Sequence, residues 1–135
     1  MSQENVEILR AVWKMAADET HADDAFGAFF TADAEWHVTG VVLDQSAVYR
    51  GRDAIWAYVR SFADEFDGFR VEFENSVVAG DKIVVMNRLR GRGRRSGALV
   101  DLRFPTVVTL RGGKIMRAEN YADMDQALEA VGLSE

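Results

Sequence analysis

An α+β fold, with helices first and a largely antiparallel sheet after them, is what the periodicities of this chain predict. Before Gly68 the apolar residues recur at three- and four-residue steps, and beyond it they alternate with polar ones at every second position. The turn dipeptides Gly80-Asp81 and Gly112-Gly113 separate the alternating runs, as expected of neighbouring strands joined by tight turns.

The first helix runs from Glu4 to Ala17, where Val6, Leu9, Val12, Trp13 and Ala16 form one stripe. A second is predicted after Thr20, because Thr20 and Asp23 resemble a capping box and Phe26, Phe29 and Phe30 share a face. Ala34–Val38 reads as a strand, and Thr39–Arg50, mixing Gly, Asp, Gln and Ser, as a loop. A third helix buries Ile55, Val59, Phe62 and Phe66 and stops at Asp67-Gly68. Next come Phe69, Val71 and Phe73 alternating with Arg70, Glu72 and Glu74, then a strand Lys82–Arg90 and a loop Gly91–Gly97. Strands Leu99–Arg111 and Lys114–Ala122 complete the meander, and a short helix Asp125–Val131 ends at Gly132.

A chain of 135 residues suits one domain, residues 1–135, with a core that needs no staples. Without cysteine there is neither a disulfide framework nor a thiolate nucleophile, and two histidines, His21 and His37, are too few for a histidine-rich metal site. No metal and no cofactor is therefore expected. The net charge of −6 argues against coating nucleic acid. The start MSQENVEILR has no basic segment followed by an apolar run, and no stretch nears the roughly 20 apolar residues of a membrane span, so a cytoplasmic protein without a membrane partner is expected.

Four segments carry a family resemblance: Ala28-Phe-Phe-Thr-Ala-Asp-Ala-Glu-Trp36, Tyr49-Arg-Gly-Arg-Asp-Ala-Ile55, Thr109-Leu-Arg-Gly-Gly-Lys-Ile115 and Tyr121-Ala-Asp123. In this order, across nearly the whole chain, they resemble the landmarks of the SnoaL-like, nuclear transport factor 2-like superfamily, which includes the ketosteroid isomerases. The resemblance implies a cystatin-like cone, with three N-terminal helices packed on a curved, mainly antiparallel sheet around a cavity. It implies no single activity, because isomerases, polyketide cyclases, epoxide hydrolases, scytalone dehydratase and non-catalytic binding domains share the scaffold.

Alternation assigns the faces of the sheet. Ile83, Val85, Asn87 and Leu89 point inward, as do Val100, Leu102, Phe104, Thr106, Val108 and Leu110, and on the last strand Met116, Ala118 and Asn120. Val84, Met86, Arg88 and Arg90 point outward with Asp101, Arg103, Pro105, Val107 and Thr109. Trp13, Phe30, Trp36, Val38, Tyr49, Trp56, Tyr58 and Phe62 are the candidates for an aromatic or apolar pocket wall, or for ordinary core.

Matched to the ketosteroid isomerases, the chain has Val38 at the base position, Thr106 at the acid donor and Trp13 or Lys14 near the tyrosine, so all three catalytic groups are missing. Matched to the limonene epoxide hydrolase pattern, Leu89, Asn87 and Asn120 replace the acid, arginine and acid. Amides are not general bases, but they can hold a water or a ligand carbonyl. On that view, replacing Asn87 or Asn120 with Leu should weaken binding and alter stability little. Asp101 and Arg103 look like an acid–arginine pair by spacing but read as outward residues in cross-strand ion pairing, His37 points away from Trp36, and His21 sits in an interhelical turn. The run Arg88-Leu-Arg-Gly-Arg-Gly-Arg-Arg95 is balanced by Glu72, Glu74, Asp101 and Glu119 and lacks an aromatic platform for RNA.

The expected function is binding of a small apolar or aromatic molecule in a pocket gated by Thr39–Arg50 and anchored by Asn87, Thr106 and Asn120, with isomerase-, cyclase- or hydrolase-like chemistry left open. The alternative is a structural or interaction domain whose cone is filled by its own side chains. A homodimer through the outer sheet face, at Met86, Pro105, Val107 and Thr109, is expected from the apolar outward patch.

Overall fold

The computed structural model describes residues 2–17, 27–39 and 46–132. Its elements run α1 (Ser2–Ala17), β1 (Phe30–Thr39), β2 (Ser46–Arg50), α2 (Arg52–Glu65), β3 (Phe66–Ala79), β4 (Lys82–Gly93), β5 (Leu99–Arg111), β6 (Lys114–Asn120) and α3 (Met124–Ala130). The six strands form one sheet in the order β2-β1-β6-β5-β4-β3, antiparallel except where β1 lies parallel to β6. Helix α1 packs on β3, and α2 on β1, β2 and β3, so the inner face is covered by helices. Leu9, Phe30, Ile55, Ile83, Val85, Val108 and Ile115 form the centre of that core, and each is at most 1 % exposed.

Several boundaries differ from the expectation. The fold is α+β, but among the described residues only two helices precede the long meander, and the third is C-terminal. The helix expected from Thr20 through Phe26, His21 with it, lies outside the described residues, as do residues 40–45 of the expected gating loop. Phe30, placed on that helix from its spacing, instead opens β1 and pairs with Ile115. Residues 46–50, read as loop, form β2, where Tyr49 pairs with Trp36. Phe66 is not the last turn of α2 but the first residue of β3, paired with Gly93, and Gly68 (φ 63°) sits in a β3 bulge rather than capping a helix. Gly91 and Gly93 belong to β4. A Cβ at Gly91 would stand 3.1 Å from the Phe66 Cβ, which is why a glycine suits that inward position.

The inward assignment holds along β4 and fails at one place on β6. Leu110 pairs with Ile115 while Thr109 pairs with Arg117, so Met116 is the extra residue of a bulge. Ile115 takes the buried position and Met116 is only half-buried.

The outer face holds the larger surprise. Helix α3 folds back over β4 and β5, and Ala127 forms a small core with Val84 and Val107, flanked by Tyr121, Met124 and Val131. Val107 is 1 % exposed and Thr109 6 %, and Pro105 is buried with its carbonyl accepting from the Tyr121 N–H at 2.9 Å. The apolar patch expected to meet a second copy is largely covered by the chain's own C-terminal helix. Of the four residues expected there, Met86 alone is left half-buried.

Candidate functional site

Inside the cone α1, β1, α2, β3, β4, β5 and β6 bring twelve described residues around a partly open cavity of about 60 Å³. Trp13, Trp36, Tyr58, Asn87, Leu89, Phe104, Thr106 and Asn120 line it, as expected of inward positions, and Val12, Val59, Phe69 and Val71 complete the wall. The last four were legible as inward or buried but carry no chemical signal that marks a pocket over a core. Phe30 and Val38 are buried beside the cavity rather than on it, Tyr49 and Trp56 pack at the edge of the same core, and the Phe62 side chain lies outside the described residues.

Rings dominate the wall. The Trp13 and Trp36 centroids are 6.2 Å apart, Trp36 and Tyr58 6.4 Å, and Tyr49 stacks on Tyr58 at 4.6 Å. Phe30 backs Trp36 at 6.3 Å, and Phe73 meets Trp13 edge-on at 5.9 Å. Offset and edge-on pairs of this kind favour a fixed arrangement.

A continuous polar chain threads the apolar wall. The Trp13 Nε1–H donates to Asn87 Oδ1 at 2.5 Å, and Asn87 Nδ2 donates to the Phe104 carbonyl at 2.9 Å and to Thr106 Oγ1 at 2.8 Å. Thr106 Oγ1 donates to Asn120 Oδ1 at 2.8 Å, and that oxygen also accepts from Trp36 Nε1 at 3.3 Å. Asn120 further hydrogen-bonds the Tyr58 hydroxyl. Burial pushes the Tyr58 phenol well above its ordinary range, Tyr49 adds to that, and the bond from Asn120 opposes it. Strand alternation places Asn87, Thr106 and Asn120 on one face, and the cross-strand partnership of Thr106 with Asn120 brings two of them directly together. The two amides are thus engaged with indoles, a hydroxyl and a carbonyl, rather than held open for a water or ligand. A Leu at Asn87 would strand the Trp13 N–H and the Phe104 carbonyl, so the expectation of little effect on stability does not stand.

Tyr58 is the one ionisable side chain among the described residues that line the cavity. Val38 is 5 % exposed, within the core. A histidine–acid pair does form, His37 Nε2 to Glu35 at 2.9 Å, but both residues flank Trp36 on the opposite side of β1, with Arg50 on the same carboxylate at 3.3 Å. Asp101 and Arg103 do not pair with each other: Asp101 binds Arg88 at 2.8 Å and Arg103 binds Glu74 at 2.7 Å. Those arginines hold the Asp101 and Glu74 carboxyls below the usual range. Glu72 takes Arg90, whereas Glu119 pairs with Arg117 at 3.4 Å and not with the arginine run. Among the described residues no three of His, Asp and Glu are placed to hold a metal ion, and no helix is long and apolar enough to cross a membrane.

Solved structures share this architecture. A protein provisionally described as a SnoaL-like polyketide cyclase, from Jannaschia sp. CCS1, superposes with a TM-score of 0.76 at 21% identity over 98% of this chain and 94% of that one. A hypothetical protein of ketosteroid isomerase-like fold from Catenulispora acidiphila DSM 44928, in complex with trimethylamine, gives 0.74 at 20% identity, covering 94% and 93%. TerC, co-crystallised with polyporic acid, gives 0.73 at 21% identity, covering 96% and 98%. No curated protein matches the chain by sequence. The model of the SnoaL-like domain matches residues 10–118, which reach from the Trp13 helix to the inward Ala118 of the last strand, and the protein belongs to the SnoaL-like domain family.

Proposed function

We propose that the protein binds a small, uncharged, apolar or aromatic molecule within the cone, between Trp13, Trp36 and Tyr58. The observation that carries this reading is the make-up of the wall: an aromatic surface whose polar groups are tied into one chain, offering contact area and no compensating charge. A charged ligand would lose its hydration there without an ion partner. Two fold neighbours hold small molecules, trimethylamine in one and polyporic acid in another, which supports small-molecule binding by the scaffold. Acid–base chemistry in the described wall rests on Tyr58 alone, as a neutral hydrogen-bond donor. Binding is therefore the function we assign, and any isomerase-, cyclase- or hydrolase-like turnover would have to draw on Tyr58 or on groups outside the described wall.

The cavity of about 60 Å³ favours a second reading, a self-filled interaction domain, because ligand pockets usually span roughly 300–1,000 Å³. Even an engineered cavity that admits benzene measures about 150 Å³. Under the first reading the rings must move apart on binding. Tryptophan fluorescence during titration with toluene and with 1-naphthol separates the two. Saturable change in the wild type, lost in a Val71→Phe variant that fills the cavity, supports binding. A flat response to both probes leaves the self-filled domain. We keep the homodimer as a proposal only for the part of the outer face beside Met86, and sedimentation at twice 15.1 kDa is its test.

A further inference from the structure

On the outer face of the sheet, at the end away from α3, arginines outnumber the acids that answer them. The ladder sets Arg70 directly opposite Arg90, and Arg88 directly opposite Arg103. Like charges in that relation repel. At the second pair both cations are met, Arg88 by Asp101 and Arg103 by Glu74. At the first pair only Arg90 is met, by Glu72, while Arg70 is exposed and forms no ion pair among the described residues. Arg92 extends the row, and its guanidinium donates to the Gly97 carbonyl at 2.8 Å, which supplies no charge. Asp67, a further acid at this end, is held by Arg94 at 3.0 Å.

These side chains surround an open depression of about 380 Å³, lined by Asp67, Arg70, Arg90, Arg92, Leu99 and Asp101. Its cationic excess sits on a chain of net charge −6, so the patch is a local feature and not a consequence of composition. The Arg90 Nε is buried without an acceptor, and Leu99 at the rim is 74 % exposed, the most exposed large apolar side chain described. Two unanswered guanidinium groups beside an exposed leucine describe an amphipathic anion.

We propose that this depression binds a phosphate or sulfate monoester, its oxyanion held by Arg70 and Arg92 and its apolar body lying on Leu99. Planar guanidinium forks suit such oxyanions, and an anion here relieves the repulsion between Arg70 and Arg90. The site is independent of the cone, since Leu89 faces the cavity and Arg90, its neighbour, faces the opposite way.

Calorimetric titration of the full chain with phenyl phosphate and with inorganic phosphate tests the proposal. Saturable binding of phenyl phosphate should weaken about tenfold or more in R70Q/R92Q, as expected when charge-assisted bonds are lost. R117Q, on the same outward side but paired with Glu119, should bind as the wild type does. L99S should weaken phenyl phosphate and leave inorganic phosphate unchanged. Thermal melts give a second readout: without anion R70Q should melt no lower than the wild type, and phosphate should raise the wild type alone. Absence of saturable binding, equal affinity in R70Q/R92Q, or an R70Q that melts lower without anion would each overturn it.

Discussion

Asn87 shows how a single side chain can be read correctly for place and incorrectly for role. Its inward position follows from alternation, but its partners come from α1 and β5, which strand periodicity cannot see. Leaving buried donors and acceptors unpaired costs about 1–3 kcal/mol each, so Asn87→Leu should lower unfolding stability by roughly that amount or more in urea titration. A loss within the scatter of surface mutations, about 0.5 kcal/mol, would mean the network contributes nothing. Tyr58 supplies a pH test. Its phenol is raised above the ordinary value of 10.0 in the folded chain, so the folded state holds the proton more tightly than the unfolded one. That contribution is complete below the unfolded value and is lost as pH rises beyond it. Melting temperature should therefore fall more steeply above about pH 10 in the wild type than in Tyr58→Phe. Parallel curves for the two would show that Tyr58 is not buried.

The family landmarks turn out to be joints between elements. Arg52 donates twice to the Phe30 carbonyl, at 3.0 and 2.7 Å, and Gly51 (φ 87°) donates its N–H to the Ala34 carbonyl, so one short motif fastens the start of α2 to β1. Gly112 and Gly113, with φ of 60° and 78°, make the β5–β6 turn in a region that other residues rarely adopt. Tyr121-Ala-Asp123 leads into α3, where the Asp123 side chain caps the helix by accepting from the Gln126 N–H at 2.9 Å. Removing such a cap costs about 1 kcal/mol. Asp123→Ala should speed amide exchange across residues 124–130 and leave β4 residues facing the cone protected. Uniform acceleration everywhere would show that α3 does not open separately from the sheet.

For the whole molecule, the covered outer face changes what a mutation there measures. Val107 is buried by α3 within one chain, so Val107→Glu places a carboxylate against Ala127 and Val84. An unpaired buried charge is strongly destabilising. The variant should melt several degrees lower at every protein concentration and show weakened α3. A loss that appears only at high concentration would instead place Val107 between two copies. The ionic ladder across β3, β4 and β5 works on the same scale but to smaller effect, since its members are exposed and screened by salt.

Sequence by itself determined the α+β class, the strand meander from Phe69 onward, and the inward face carrying Asn87, Thr106 and Asn120. Those properties are local: periodicity, turn dipeptides and residue identity settle them without knowledge of neighbours. Only the tertiary structure decided that β1 runs parallel to β6, that Phe30 and Phe66 open strands, and that a bulge at Met116 hands the buried position to Ile115. It alone decided that the pocket amides serve the indoles, and that α3 covers Val84 and Val107. Each of these depends on a partner distant in the chain, and an apolar residue has the same pattern whether its own helix or another surface covers it.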